Sequence, residues 1–139
     1  MSVLSNRHIS VFDPSAFKDS ITVCGCGATG SRIITELVKL GIENMTIFDF
    51  DTVSEENVAN QAFNNSDIGL LKAEAMKNMA LLNNVSINAN NVALTEDYEP
   101  DGYLFMCADS MEVRRTLVKR WIMSQSTKAV FEMRMGALS

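Results

Sequence analysis

A glycine-rich run, Gly25-Cys26-Gly27-Ala28-Thr29-Gly30, has residue types and spacing that suit the binding of a phosphate. Gly25 permits a tight turn, Gly27 lets the backbone approach a phosphate without a Cβ in the way, and Gly30 allows close packing. A helix that begins in this run points its unpaired N–H groups and its positive dipole end at anionic oxygens. The residues that this spacing assigns to a nucleotide are Gly25, Gly27, Ala28 and Gly30.

A carboxylate follows 24 residues after Gly25, where a second short apolar run ends in Asp49-Phe50-Asp51. At the end of the second strand of a Rossmann-type unit, a carboxylate accepts hydrogen bonds from ribose hydroxyls. We therefore expect Asp49 to bind ribose and Asp51 to lie beside the nucleotide, although loop capping also explains either aspartate. The glycine loop and Asp49 fit NAD and ATP equally well.

The elements that must position these residues alternate between strand and helix. Short β-rich runs predict strands at 20–24, 45–48, 85–89, 103–107 and 129–133. Helical spacing predicts helices at 29–40, 70–83 and 111–123, and a polar loop at 52–67 contains a short helical turn around 55–59. This alternation predicts a single-domain, Rossmann-like α/β fold, with a mostly parallel sheet flanked by helices on both faces. Ligands of such a fold bind at the carboxyl ends of the strands.

The last predicted helix follows Asp109 or Ser110, either of which suits its N-cap. The apolar residues expected on one side are Leu117, Val118, Trp121 and Ile122. The basic residues expected on the other side, most simply as a solvated face, are Arg114, Arg115, Lys119 and Arg120.

Composition restricts the classes of partner. A chain of 139 residues with 47% hydrophobic content suits one compact domain, and a net charge of -5 argues against nucleic acid or an anionic membrane surface. No run approaches the ~18 to 20 apolar residues that cross a bilayer, so we expect a cytoplasmic protein. The three cysteines give neither a disulfide framework nor a zinc pair, and we expect Cys107 to be structural. The single histidine, His8, has no nucleophile that the sequence places beside it.

The residues beyond Asp49 separate the two cofactors. Asp49-Phe50-Asp51-Thr52-Val53, followed by Asn57, Gln61 and Asp67-Ile68-Gly69-Leu70-Leu71-Lys72-Ala73, resembles the ThiF/MoeB family, the relatives of ubiquitin-activating enzymes. Asn6-Arg7-His8-Ile9 is similar to the arginine-containing opening of that family, and Cys107-Ala108-Asp109-Ser110 is similar to its strand-end motif. The resemblance identifies residues 1–139 as a nucleotide-binding domain of this family, in a truncated or partial version.

What the resemblance implies is ATP-dependent adenylation of the C-terminal carboxylate of a small ubiquitin-like or sulfur-carrier protein, with release of pyrophosphate. It assigns Lys72 to the leaving phosphates and Asp109 to a Mg²⁺ ion that bridges phosphate oxygens. It places Arg7 in the ATP site of the partner subunit, so that a homodimer shares its sites. The loop residues assigned to the nucleotide are Asn57, Asn60 and Gln61.

Two departures from the family pattern leave alternatives open. Asn60 stands where the family has an arginine, and the loss of one preorganised stabiliser of charge typically costs ~2.7 to 4 kcal/mol of barrier. Either Arg7 or an arginine from outside the motif compensates, or the chain has drifted in function. The sequence also stops before the family's later elements. The alternatives are a module that binds a nucleotide or ubiquitin-like protein without catalysis and, from the glycine loop and Asp49 alone, an NAD-dependent oxidoreductase.

Overall fold

The structure is a computed structural model, and it describes residues 17–133. The strands in this range are β1 (Ile21–Cys24), β2 (Met45–Phe48), β3 (Asn88–Asn90), β4 (Gly102–Met106) and β5 (Thr127–Glu132). The α-helices are α1 (Ala28–Lys39), α2 (Glu55–Asn60), α3 (Lys72–Leu82) and α4 (Met111–Ile122), and a 3-10 turn covers Asn65–Asp67. Among the helices described here, none combines the length and the apolar character needed to span a membrane.

The five strands form one sheet in the order β3-β2-β1-β4-β5. Every neighbouring pair is parallel. The chain moves outward from β1 to β3, returns to the other side of β1 at β4, and continues outward to β5. This arrangement confirms the predicted Rossmann-like α/β fold, with a wholly parallel sheet. The strand order reverses between β1 and β4, and the loops that follow these two strands separate at that point.

Successive strand residues pack on opposite faces of the sheet, as the two-residue repeat of a strand requires. On one face, α1 and α3 pack against Ile21, Val23, Met45 and Ile47. On the other face, Leu117 and Trp121 of α4 pack against Cys24, Phe48, Leu104 and Met106. The helices therefore cover both faces, which explains why these strands are apolar at successive positions.

The third strand corrects a predicted boundary, because it spans Asn88–Asn90 instead of 85–89. Val85 and Ile87 are buried in the core, whereas pairing with β2 begins where Thr46 meets Asn88. The apolar residues that led to the prediction precede the strand, whereas the residues that pair with β2 are mostly polar. Polar residues are common on an edge strand, where they discourage pairing with other chains.

Arg114 corrects the prediction of a solvated basic face on α4, because only 2% of this residue is exposed whereas Ile122 is 65% exposed. Arg114, Leu117 and Trp121 share one face of the helix, at positions i, i+3 and i+7. The Arg114 Nη2 donates to the carbonyl oxygen of Met133, and its Nη1 lies 3.7 Å from Glu132 Oε1. The guanidinium therefore joins α4 to the end of β5.

Two glycines of the loop have a steric reason to be glycine. Gly25 has a φ of +99°, and a Cβ on Gly30 would lie 1.8 Å from the Gly25 carbonyl oxygen. Gly27 differs, because a Cβ there would meet no atom nearer than Gln61 Nε2 at 3.9 Å. Gly25 and Gly30 are thus needed to build the turn, while Gly27 leaves open space beside the loop.

Gly30→Ala is expected to lower the free energy of unfolding by about 1–3 kcal/mol or more, because the added Cβ must displace backbone. Gly27→Ala is the matched control and should cost less than about 1 kcal/mol, the usual scale of an N-cap change. Urea denaturation followed by circular dichroism measures both. Equal losses in the two variants would contradict the steric role assigned to Gly30.

Candidate functional site

A cavity of about 490 Å³ opens at the carboxyl ends of β1, β2 and β4. Its volume lies within the range of small-molecule sites. The cavity is at the reversal of strand order, where an open parallel sheet binds its ligands. The predicted site residues that line it are Gly25, Gly27, Ala28, Asp49, Asp51, Asn60, Gln61, Lys72 and Asp109.

Two of the predicted site residues within the described range do not line the cavity, and a third is outside that range. Gly30 packs behind the loop, against the carbonyl of Gly25. Asn57 is in α2, where its Oδ1 accepts a hydrogen bond of 2.9 Å from the backbone N–H of Ser54, and it does not line the cavity. Arg7 lies outside the described residues 17–133.

Asp49 connects the glycine loop to the end of β2. Its Oδ2 accepts a hydrogen bond of 2.7 Å from the backbone N–H of Cys26, and its Oδ1 accepts one of 2.7 Å from that of Asp51. The residue is buried, so these charge-assisted bonds are little weakened by water. Each oxygen keeps a further acceptor position for a ligand hydroxyl. Asp49 can therefore hold the loop in place and still bind ribose.

The start of α1 faces the cavity without a side-chain cap. Its N-cap is Gly27, which has no side-chain hydrogen bond to offer, and Gly27, Ala28 and Thr29 all line the cavity. The first N–H groups of a helix need partners from outside it. Gln61 also lines the cavity, and its buried Oε1 has no hydrogen-bond partner among the described residues. An uncapped helix start fits an anionic ligand such as a phosphate, whereas the Gln61 Oε1 is an acceptor and suits a donor group of a ligand, such as a hydroxyl.

Lys72 is the first residue of α3 and is 6% exposed. Its backbone N–H donates to the Asp51 carbonyl oxygen at 2.8 Å, and its Nζ lies 3.9 Å from Asp51 Oδ2. An ion pair of this length with a half-exposed carboxylate is weak. The ammonium can therefore exchange this pairing for an anionic ligand in the cavity.

Asp109 supplies an exposed carboxylate at the wall formed by the segment after β4. The next residue, Ser110, caps α4, and its hydroxyl accepts a hydrogen bond of 3.3 Å from the backbone N–H of Val113. Residues 17–133 contain no group of three or more His, Cys, Asp or Glu side chains that could hold a metal ion. Mg²⁺ in nucleotide sites is commonly held by one or two carboxylates together with substrate phosphates, a role that Asp109 fits.

The sequence interpretation missed the apolar part of the cavity wall. Phe50 lines the cavity and is 66% exposed. Because it lies between the two predicted aspartates, its position in the sequence could have identified it as a site residue. The remaining apolar residues come from several separate elements, and no local pattern groups them. Besides Cys24 and Cys107, they are Phe48, Ala93, Leu94, Ala108, Val113 and Met133.

All three cysteines are buried and unpaired. Burial, and next the charge of Asp49, raise the pKa of Cys24 to about 11. Burial, and next the neighbouring Cys24, raise the pKa of Cys107 to about 12, and burial raises the pKa of Cys26 well above its usual value. Thiols with such pKa values stay protonated near neutral pH and are poor nucleophiles. The structure thus supports the predicted structural role of Cys107.

The parallel sheet and the cavity at its switch point define a Rossmann-type α/β domain. More specifically, the chain belongs to the ThiF family, whose model matches residues 15–137. This match confirms the family resemblance seen in the motifs. A curated relative, the "Uncharacterized protein y4oA" of Sinorhizobium fredii (strain NBRC 101917 / NGR234), is 40% identical over 63 residues, which are 45% of this chain and 11% of that protein.

Solved structures of similar fold include two Escherichia coli proteins. One is the tRNA N6-threonylcarbamoyladenosine dehydratase TcdA, with a TM-score of 0.71 and 23% identity, covering 82% of this chain and 52% of that one. The other is MccB with AMPCPP and MccA, with a TM-score of 0.66 and 20% identity, covering 72% of this chain and 32% of that one. MccB with ATP has a TM-score of 0.62 at 22% identity and covers 68% of this chain and 30% of that one. The chain therefore spans about a third to a half of these structures.

Asp49→Asn is expected to lower the free energy of unfolding by about 1–3 kcal/mol, because an amide NH₂ cannot accept one of the two backbone hydrogen bonds. Asp51→Asn is the matched control, and its half-exposed carboxylate predicts a change within about 0.5 kcal/mol. Urea denaturation measures both. A larger loss for Asp51→Asn would contradict the structural role of Asp49.

The raised thiol pKa values predict a loss of stability at alkaline pH. The pKa of Cys24 rises from 9.0 to about 11 on folding, so its contribution is complete below pH 9 and is lost as pH rises through about 11. Between about pH 9 and about pH 10.5, the unfolding free energy of the wild type should fall by about 1.5 kcal/mol more than that of Cys24→Ala. Denaturation curves at both pH values measure the difference. Parallel losses in the two proteins would show that folding does not raise the pKa of this thiol.

Proposed function

We propose that this chain is the nucleotide-binding part of an ATP-dependent adenylyltransferase that activates the C-terminal carboxylate of a small ubiquitin-like or sulfur-carrier protein. The observation that carries the proposal is the convergence of an uncapped helix start, Asp49 and Lys72 on one cavity. Membership of the ThiF family supports it. The similar protein MccB has been solved with ATP and with AMPCPP and MccA, which is consistent with a nucleotide and a peptide acceptor.

The polar side of the cavity suits the phosphates and sugar of ATP. The first N–H groups of α1 bind the phosphate chain, the Gln61 amide binds a polar group of the nucleotide, and the free acceptor positions of Asp49 bind the ribose hydroxyls. The apolar side, which includes Phe50 and Leu94, suits the adenine ring. Asp109 holds Mg²⁺, which supplies charge neutralisation on the phosphates when it is bound.

The proposed reaction joins two anions, so positioning and charge neutralisation dominate over covalent catalysis. A carboxylate oxygen of the carrier attacks the α-phosphorus. The bond from that phosphorus to the oxygen bridging to the β-phosphate breaks, and pyrophosphate leaves with the electron pair. Lys72 stabilises the charge on the departing phosphates as a compact cation. The roles of Asn57, and of Arg7 as a residue donated across a homodimer, remain part of this proposal.

A second candidate is a module that binds the nucleotide or the carrier without catalysis. Asn60 favours it, because a neutral amide lines the cavity at the position where the family carries an arginine. The NAD alternative rests on the glycine loop and Asp49, and membership of the ThiF family favours ATP over it.

Exchange of labelled pyrophosphate into ATP, with candidate carrier proteins, tests the catalytic role. Lys72→Ala is expected to reduce exchange by about 10²-fold or more, because it removes a cation that acts on the leaving group. Lys77→Ala, which removes a lysine of the same helix outside this cavity, is the matched control and should retain exchange. Thermal denaturation establishes that both variants fold.

Equal rates of pyrophosphate exchange in Lys72→Ala and Lys77→Ala would contradict the role proposed for Lys72. Tight binding of ATP by the wild type with no exchange would favour the non-catalytic module. A calorimetric preference for NAD over ATP would contradict both readings.

A further inference from the structure

Arg32 lies on α1, one turn into the helix that begins at the glycine loop. Its side chain is exposed, and its Nη2 donates a hydrogen bond of 3.3 Å to the backbone carbonyl oxygen of Asn60. Asn60 lines the cavity. A guanidinium is therefore in contact with the residue that stands where the family has an arginine, although the two positions are 28 residues apart in the sequence.

The loop that carries Asn60 is docked against the start of α1 by a second contact. The backbone N–H of Ala62 donates to Ser31 Oγ at 3.0 Å, and Ser31 is buried. Ser31 and Arg32 are consecutive residues of α1, and they bond to the two chain neighbours of Gln61. The helix therefore contacts the loop on both sides of Gln61. Helical side chains tilt toward the helix N-terminus, which directs the Arg32 side chain back toward the glycine loop.

The charge balance of the cavity calls for a further cation. Its described lining carries the carboxylates of Asp49, Asp51 and Asp109 but a single lysine, Lys72. A polyphosphate adds several negative charges, and like charges at close range repel one another. Arg114 cannot meet this need, because it is buried and pairs with Glu132.

We propose that Arg32 supplies the phosphate chain of the bound nucleotide with the positive charge that Asn60 does not provide. The inference rests on the proposed function, since it assumes that the cavity holds a nucleoside polyphosphate. A guanidinium offers five N–H donors and keeps its charge at all physiological pH values. One of these donors is used on Asn60. Arg32 does not itself line the cavity, but it contacts the Asn60 backbone at the cavity wall, from where its other donors could reach the phosphate oxygens of a bound nucleotide.

Calorimetric titration with ATP and with AMP, both in the presence of Mg²⁺, tests the assignment. Arg32→Ala is expected to weaken ATP binding about tenfold and AMP binding less than about twofold, because the missing charge acts on the phosphates that AMP lacks. Arg115→Ala removes the same charge from an exposed site on α4 outside the cavity, and it should leave both affinities unchanged. Thermal denaturation checks that both variants are folded.

A double variant tests whether an arginine at position 60 can replace Arg32 as the positive charge on the phosphate chain. Asn60→Arg, introduced together with Arg32→Ala, is expected to bring ATP affinity back to within about threefold of the wild type. The compensation is refuted if Arg32→Ala binds ATP as tightly as Arg115→Ala does, if it loses AMP affinity equally, or if the double variant regains nothing. If the wild type does not bind ATP, the proposed function itself is refuted. If the wild type binds ATP and one of these three outcomes is found, only the role of Arg32 is refuted.

Discussion

The carboxylate of Asp49 is the group on which the geometry of the site depends. It is buried, and each of its oxygens accepts a backbone N–H, one from Cys26 in the loop after β1 and one from Asp51 in the loop after β2. A single side chain therefore joins the loop after β1 to the loop after β2. Burial first, and next the charge of Asp49, raise the pKa of Cys24 and of Cys26, so both thiols stay neutral near neutral pH.

With the glycine loop fixed in this way, two of the helix starts at the cavity, those of α1 and α4, differ in a way that matters for binding. The helix α4 has a side-chain cap, because the Ser110 hydroxyl accepts a hydrogen bond from the backbone N–H of Val113. The helix α1 begins at Gly27 and has no such side chain. Of these two starts, the one of α4 is capped by a side chain and the one of α1 is not, so the first N–H groups of α1 are left for a ligand.

Features encoded in short stretches of sequence could be predicted, and those that depend on distant contacts could not. The glycine loop, β1, β2 and Asp49 follow one another locally, so spacing identified them. Arg114 was assigned to solvent because it is charged, although its spacing from Leu117 and Trp121 is that of a buried face. The contact of Arg32 with Asn60 and the apolar wall join segments far apart in the chain, and no local repeat records such pairings.

The net charge of -5 gives little information about the ligand, because electrostatic effects at the site are local. At physiological ionic strength, exposed charges more than about 8 Å apart are largely screened. An anion in the cavity therefore responds mainly to the start of α1, to Lys72 and to the carboxylates beside them, and hardly to acidic residues on distant surfaces. An acidic surface opposes a long polyanion such as nucleic acid, which must contact much of it. A nucleotide is small enough for the local charges to decide, so the same composition that disfavours nucleic acid is compatible with ATP.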